Sequence, residues 1–296
     1  MSSSDPAGAL QGTSMRKLKG LVRLFRPELP FSAGVCVILG EIVALGGFPS
    51  LPQALLGFLS VFFISASALI LNDYFDLEVD RVNAPGRPLP SGAVTPSEVL
   101  LLTAVVTVLG LSAASLIGWG AFVFSLAIWL VGVLYNWRFK QSGLPGNLMV
   151  AVSVASTFIL GGMAVGRPFD MKVWFFSLIA FLIDLAEEIA GDAMDAEGDT
   201  LRGSRSLAIL LGKRAALRIA AALFILVVLL AALPFFLGWM GIGYLLAVLA
   251  TGAWTLYSTA QLVSSRTPEA GRGFMRRIYL GATFAMLAFI AAQFLR

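Results

Sequence analysis

The chain of 296 residues has no histidine and one cysteine, Cys36. Without imidazole there is no histidine metal ligand or general base, and one thiol forms neither an intrachain disulfide nor a thiolate cluster. Charge is scarce as well. Asp, Glu, Lys and Arg make up 13% of the residues, about half the roughly 25% of an ordinary soluble domain. In their place stands apolar material, 58% of the chain, with a mean hydropathy of +0.87. It comes in runs close to the roughly 20 residues that a helix needs to cross a hydrocarbon layer of about 30 Å. The short alternating segments of an outer-membrane β-barrel are absent. The composition predicts an all-α, polytopic membrane protein.

Nine spans are expected, at about 30–48, 53–71, 97–117, 119–137, 146–165, 171–190, 213–236, 239–262 and 274–295. The third and fourth meet at Gly118-Trp119-Gly120, which reads as a tight interfacial turn. Trp119, Trp137, Trp174 and Trp239 fall near span ends, where amphipathic rings prefer to sit. Residues 1–15 are expected to form a disordered tail ahead of a membrane domain at 16–296, with Met15 a possible alternative start and no signal peptide. With a cytoplasmic N-terminus, every Lys and Arg except Arg167, Lys172 and Arg296 falls on the inner side. That distribution is the positive-inside pattern of a multi-pass cell-membrane protein. The net charge of +4 therefore reads as topology, with no nucleic-acid partner and no obligate protein partner in view.

Eleven of the 17 carboxylates lie in two short windows. Asp73, Asp76, Glu78 and Asp80 follow the second span; Asp184, Glu187, Glu188, Asp192, Asp195, Glu197 and Asp199 end the sixth. Both windows are expected at the cytoplasmic face. Asn72, Asp76 and Asp80 stand four apart and would share one face of a helix continuing out of the span. Asp195 and Asp199 repeat the interval, with Asp192 and Glu188 one and two turns before. Like charges at helical spacing repel, so such faces call for a neutralising cation. Mg²⁺ suits an inventory of oxygen donors and commonly binds through carboxylates together with substrate phosphates. Arg81 and Arg87 could then take the remaining oxygens of a diphosphate. Arg138 and Lys140, beside Tyr135, and Arg202 with Arg205 are further cations of the same face.

"NDYFDLEVDRVNAPGRPLPSG" at 72–92 resembles the first aspartate-rich motif, N-D-x-x-D-x-x-x-D, of the UbiA superfamily of intramembrane prenyltransferases, and "DAMDAEGD" at 192–199 resembles the second. "FRPELPF" at 25–31 is similar to the family's opening and "LYNWRFKQSGLPGN" at 134–147 to its middle loop. The resemblance implies a nine-helix bundle with a cytoplasmic-side active cavity. It implies transfer of a prenyl group from a polyprenyl diphosphate to a lipophilic acceptor, in contact with membrane lipids. Asn72, Asp76 and Asp80 would ligate Mg²⁺ with Asp73 as neighbour, and Asp195 and Asp199 would do so with Asp192 in support. Arg81 and Lys140 would help hold the diphosphate, and Tyr135 and Asn147 would line the cavity.

Within the superfamily, E-I-x-x-D-x-x-D-x-E-G-D…G-x-R-S-L at 188–207 most resembles the archaeal-type branch. Its members join geranylgeranyl diphosphate to geranylgeranylglyceryl phosphate in ether-lipid synthesis. This chain departs from that pattern in carrying Glu187 and Gly191 where the branch commonly has Arg and Lys. Two other acceptors stay open: an aromatic quinone precursor, or a chlorophyllide-like chlorin, since chlorophyll synthases share the "EGD" ending. An ion-coupled transporter would also bind cations through carboxylates, but such proteins commonly show internal repeats and charge at mid-membrane. No repeat is evident here, and both clusters sit at span ends.

Overall fold

The computed structural model describes residues 6–201 and 203–294; for residues 6–14, 16, 197–201 and 292–294 it describes the backbone alone. The described residues are helical, without a strand. The chain divides into two compact units, one made of Met1–Ile38 with Leu51–Trp137, the other of Leu39–Ser50 with Arg138–Arg296.

The first unit contains α1 (Pro6–Phe25), the start of α2 (Glu28–Leu45), α3 (Leu51–Phe75), the short α4 (Leu77–Asn83), α5 (Pro96–Ile117) and α6 (Trp119–Leu134). α6 runs into a π-turn at Tyr135–Phe139. α1 takes in part of the stretch expected as a tail, of which residues 1–5 lie outside the described residues. It is tied down by Leu24, fully buried against Ala66, Ile70, Leu89, Val94, Val99 and Val106, and by an ion pair from Lys17 to Glu98. α5 begins in a capping box, in which the Thr95 side chain accepts from the Glu98 N–H and the Glu98 carboxylate accepts from the Thr95 N–H. Gly118, at φ +153°, makes the expected turn into α6. Polar side chains join the spans where apolar contact has no advantage over lipid: Trp129 donates to Ser67 Oγ at 3.0 Å, and Ser67 meets Thr107 at 2.5 Å.

The second unit contains the end of α2, then α7 (Leu144–Ala164), α8 (Met171–Leu201), the short α9 (Leu207–Leu211), α10 (Lys213–Phe236), α11 (Ile242–Val263) and α12 (Pro268–Phe294). Its core is built on small residues, Ala151, Ala186, Ala190, Ala193, Ala216 and Ala220, with Ile189, Leu217 and Phe224 filling the space between backbones. Alanine lets membrane helices approach closely, which is how dispersion holds them together in lipid. Ser177 ties α8 to the Ala155 carbonyl of α7 at 2.8 Å, and Arg167 donates to the Ala44 carbonyl at the end of α2 at 2.6 Å.

The nine expected spans lie over α2, α3, α5, α6, α7, α8, α10, α11 and α12; most ends are displaced by a few residues, whereas α8 runs on past residue 190 to Leu201. Among the described residues, eight helical stretches are long and apolar enough to cross a membrane. α8 is long enough at 31 residues, but Asp184, Glu187 and Glu188 interrupt its apolar stretch. Large apolar side chains such as Leu101, Val108, Leu229 and Leu246 stay exposed, as faces that meet lipid must.

Candidate active site

The first motif sits where α3 gives way to α4. Asn72 and Asp73 are on the last turn of α3, and Asp76 caps α4 with φ −85° and ψ 1°. The single helix expected through Asp80 is thus broken at Asp76. The i to i−4 bonds persist, from Asp76 N–H to the Asn72 carbonyl at 2.9 Å and from Asp80 N–H to the Asp76 carbonyl at 2.8 Å. The backbone therefore departs from helical winding at Asp76 while these two i to i−4 bonds persist.

Arginines claim two of these carboxylates. Asp73, 3% exposed, accepts from Arg26 and lies 3.7 Å from Arg87. Asp80, also buried, accepts from Arg87 at 2.5 Å. The result is an alternating row, Arg26–Asp73–Arg87–Asp80, in which each buried negative charge has a guanidinium beside it. Arg26 and Arg87 remain partly exposed, with side chains at 27% and 37%, so each keeps N–H groups for another anion. Arg81 is elsewhere, paired with exposed Glu78 at 2.7 Å, a contact of little energetic weight.

Asn72 is held from the π-turn that follows α6. Its Nδ2 donates to Asn136 Oδ1 at 2.8 Å, and Asn136 Nδ2 donates to the Ala68 carbonyl at 3.1 Å. Asn136 is buried on the π-turn that also carries Tyr135 and Arg138, and exposed Lys140 follows directly.

The second motif occupies the last turns of α8. Asn147, buried on the first turn of α7, donates to Asp192 Oδ2 at 2.9 Å. Asp195 accepts from Arg272 of α12, both roughly half exposed. The side chain of Asp199 and all of Arg202 lie outside the described residues. Arg205 is exposed, and its N–H donates to the Gln141 carbonyl at 3.1 Å. Gly143, at φ +71°, closes this junction: a β-carbon there would run into the Arg205 carbonyl. The loop bearing Arg138 and Lys140 is thereby fastened to the segment after the second motif.

Among the described residues no three carboxylates converge on one point. Asn72, Asp76 and Asp80 in one unit, and Asp192 and Asp195 in the other, are the oxygen donors that could take a cation. The buried ion pairs hold Asp73 between two arginines. Arg26, Asn136 and Arg272 were not expected as site residues. Arg26 lies in the "FRPELPF" segment, and Asn136 directly follows Tyr135, but nothing in their local pattern names a partner.

Membrane-length helices with oxygen-rich, arginine-flanked motifs at their ends have the make-up of an intramembrane enzyme. The chain belongs to the UbiA prenyltransferase family, whose pattern matches residues 33–292. It is 35% identical over 280 residues to digeranylgeranylglyceryl phosphate synthase of Pyrococcus horikoshii, covering 94% of this chain and 98% of that protein. A solved structure of digeranylgeranylglyceryl phosphate synthase in membranes superposes with a TM-score of 0.79 at 31% identity, over 94% of this chain and 98% of the other. The fold is shared with a UbiA homologue from Archaeoglobus fulgidus bound to GPP and Mg²⁺, at a TM-score of 0.63 and 21% identity, covering 91% and 99% of the two chains.

Proposed function

We propose that the protein transfers a geranylgeranyl group from geranylgeranyl diphosphate to geranylgeranylglyceryl phosphate, with Mg²⁺ as cofactor. The observation that carries the donor half is the Arg26–Asp73–Arg87–Asp80 row, in which two partly exposed guanidiniums are held by buried carboxylates at a helix end. The acceptor follows the synthases to which the chain is most of a length and about one-third identical.

Asn72, Asp76 and Asp80 would hold Mg²⁺ from the first motif, and Asp192, Asp195 and Asp199 from the second. Carboxylate and amide oxygens, with no imidazole in the chain, are a donor set fitted to that hard cation. The A. fulgidus homologue solved with GPP and Mg²⁺ is in keeping with this. When bound, the cation offsets the negative charge that grows on the departing diphosphate. Arg87 and Lys140 would hold diphosphate oxygens in charge-assisted bonds, with Arg81, Arg138, Arg202 and Arg205 as further candidate cations. By the family resemblance Tyr135 and Asn147 would line the cavity, and within its own unit Asn147 donates to Asp192. The apolar helices receive the isoprenoid chain and keep water from the allylic carbon as its C–O bond breaks. The acceptor hydroxyl oxygen forms the new ether bond to the allylic carbon as the C–O bond to diphosphate breaks, and its proton passes to the released diphosphate. The charge distribution supports a cytoplasmic N-terminus and cytoplasmic motifs.

Purified protein with Mg²⁺ and radiolabelled geranylgeranyl diphosphate should prenylate geranylgeranylglyceryl phosphate in preference to a quinone precursor or chlorophyllide. Asp76→Ala or Asp195→Ala should lower turnover by roughly 100-fold or more, because metal-assisted charge stabilisation is worth several kcal/mol. Full activity in Asp76→Ala would remove the first motif from the metal site, and preference for another acceptor would overturn the assigned product.

A further inference from the structure

Asparagine is an ambiguous ligand. Its two amide ends are nearly the same shape, but only the carbonyl oxygen can coordinate a hard cation. Something must decide which end of Asn72 is offered. The decision can be traced to a backbone atom. The Ala68 carbonyl only accepts hydrogen bonds, so the end of the Asn136 amide that meets it, at 3.1 Å, must be Nδ2. That places Asn136 Oδ1, an obligate acceptor, toward Asn72 at 2.8 Å, where only an N–H satisfies it. Asn72 therefore commits Nδ2 to Asn136 and keeps Oδ1 as its acceptor end.

Ala68 and Asn72 are one turn apart on α3, so the Asn136 amide lies across a single helical turn and grips both ends of it. Asn136 is buried, 9% exposed, where either bond made the wrong way round would leave polar groups unsatisfied. It sits on the π-turn Tyr135–Phe139, a departure from α-helical winding of the kind often found at functional sites. Trp129, on the same helix, donates to Ser67 of α3 and fixes the helices one turn or more before the amide contact.

We infer that Asn136 is a positioning residue for the reaction: it sets the amide of Asn72 so that the carbonyl oxygen, not the NH₂, is presented to the divalent cation. This rests on the reading of Asn72 as a metal ligand. Asn136 acts through Asn72.

The test separates orientation from structure by making orientation irrelevant. Asn72→Asp has two equivalent oxygens and needs no partner to choose between them. The full-length chain in lipid nanodiscs, loaded with the unreactive geranylgeranyl thiolodiphosphate, is titrated with Mn²⁺ and bound metal is read by electron paramagnetic resonance. Asn136→Leu, close in shape but without hydrogen bonds, is expected to weaken Mn²⁺ binding roughly 10- to 100-fold, the usual range when a ligand's supporting bond is lost. In the Asn72→Asp background the same change is expected to cost less than about 3-fold, a departure from additivity that only coupled residues show. Asn136→Ser provides a smaller second variant should Asn136→Leu fail to fold. Prenyl transfer by Asn136→Leu should recover at high Mg²⁺, so that the apparent metal constant moves and the limiting rate does not. Equal losses in both backgrounds, or no loss beside Asn72, would overturn the inference. If the unaltered chain binds no Mn²⁺, the assignment of Asn72 as a ligand falls, and the inference with it.

Discussion

Arg26 illustrates how a side chain's chemistry outruns its local sequence. It stands between α1 and α2 and is the one described non-glycine residue with positive φ, +42°. A bulky residue in that region costs on the order of 1 kcal/mol or more and persists only where surrounding contacts enforce it. The enforcing contact is the ion pair with buried Asp73. Two contributions can be separated. Arg26→Ala removes the pair and keeps the unfavourable backbone, whereas Arg26→Gly removes the pair and relieves the backbone. Stranding a buried carboxylate costs about 3–5 kcal/mol when no partner is left. Arg87 still reaches Asp73, so a loss of roughly 2–3 kcal/mol is expected for Arg26→Ala. Arg26→Gly should be milder by about 1 kcal/mol. Melting in detergent checks the order: if glycine melts below alanine, the backbone at residue 26 is not under strain. At this scale the acidic motifs were legible because carboxylates are rare in the chain. Arg26 was not, because one arginine among five cations near the first span reads as topology.

At the scale of elements, the long apolar helices were legible from hydropathy runs, and the turn at Gly118 from its glycine and tryptophan neighbours. Three elements were not. α1 is a mixed helix with Leu18, Leu21 and Leu24 among Lys and Arg, too polar to register as a span yet able to bury Leu24. The break at Asp76 leaves the hydrogen-bond spacing of a helix intact, so no breaker residue marks it. The π-turn at 135–139 likewise has no local signature, and the partners of its Asn136 lie on α3, 64 and 68 positions earlier. Glycine carries one junction that can be tested. Gly143→Ala places an L-residue at φ +71° against the Arg205 carbonyl. The left-handed conformation alone costs about 1–2 kcal/mol, and the clash would part Arg205 from Gln141. A drop in melting temperature of several degrees is expected, at roughly 2–4 °C per kcal/mol for a chain of this size. A melting temperature unchanged within a degree would show that the junction yields without cost.

For the whole molecule, the arrangement of charge along nine helices predicts which ends face the cytoplasm. In a Cys36→Ser background, single cysteines at Glu78, whose side chain is 79% exposed, and at Phe169, 87% exposed, report the two sides. An impermeant maleimide should label Phe169→Cys on intact cells and Glu78→Cys only in inverted vesicles. The reverse pattern would turn the protein over in the membrane.

The order of the long apolar helices and the place of the two acidic motifs along them were legible in the sequence alone. The physical reason is that partition between water and hydrocarbon is nearly additive over neighbouring residues, so a local window contains the answer. Which carboxylates are held by arginines, and which end of Asn72 is presented, only the tertiary structure decided. Arg26 meets Asp73 across 47 positions, Asn72 meets Asn136 across 64, and Asp195 meets Arg272 across 77. A hydrogen bond depends on the distance and angle of two atoms, and no window along the chain contains both partners.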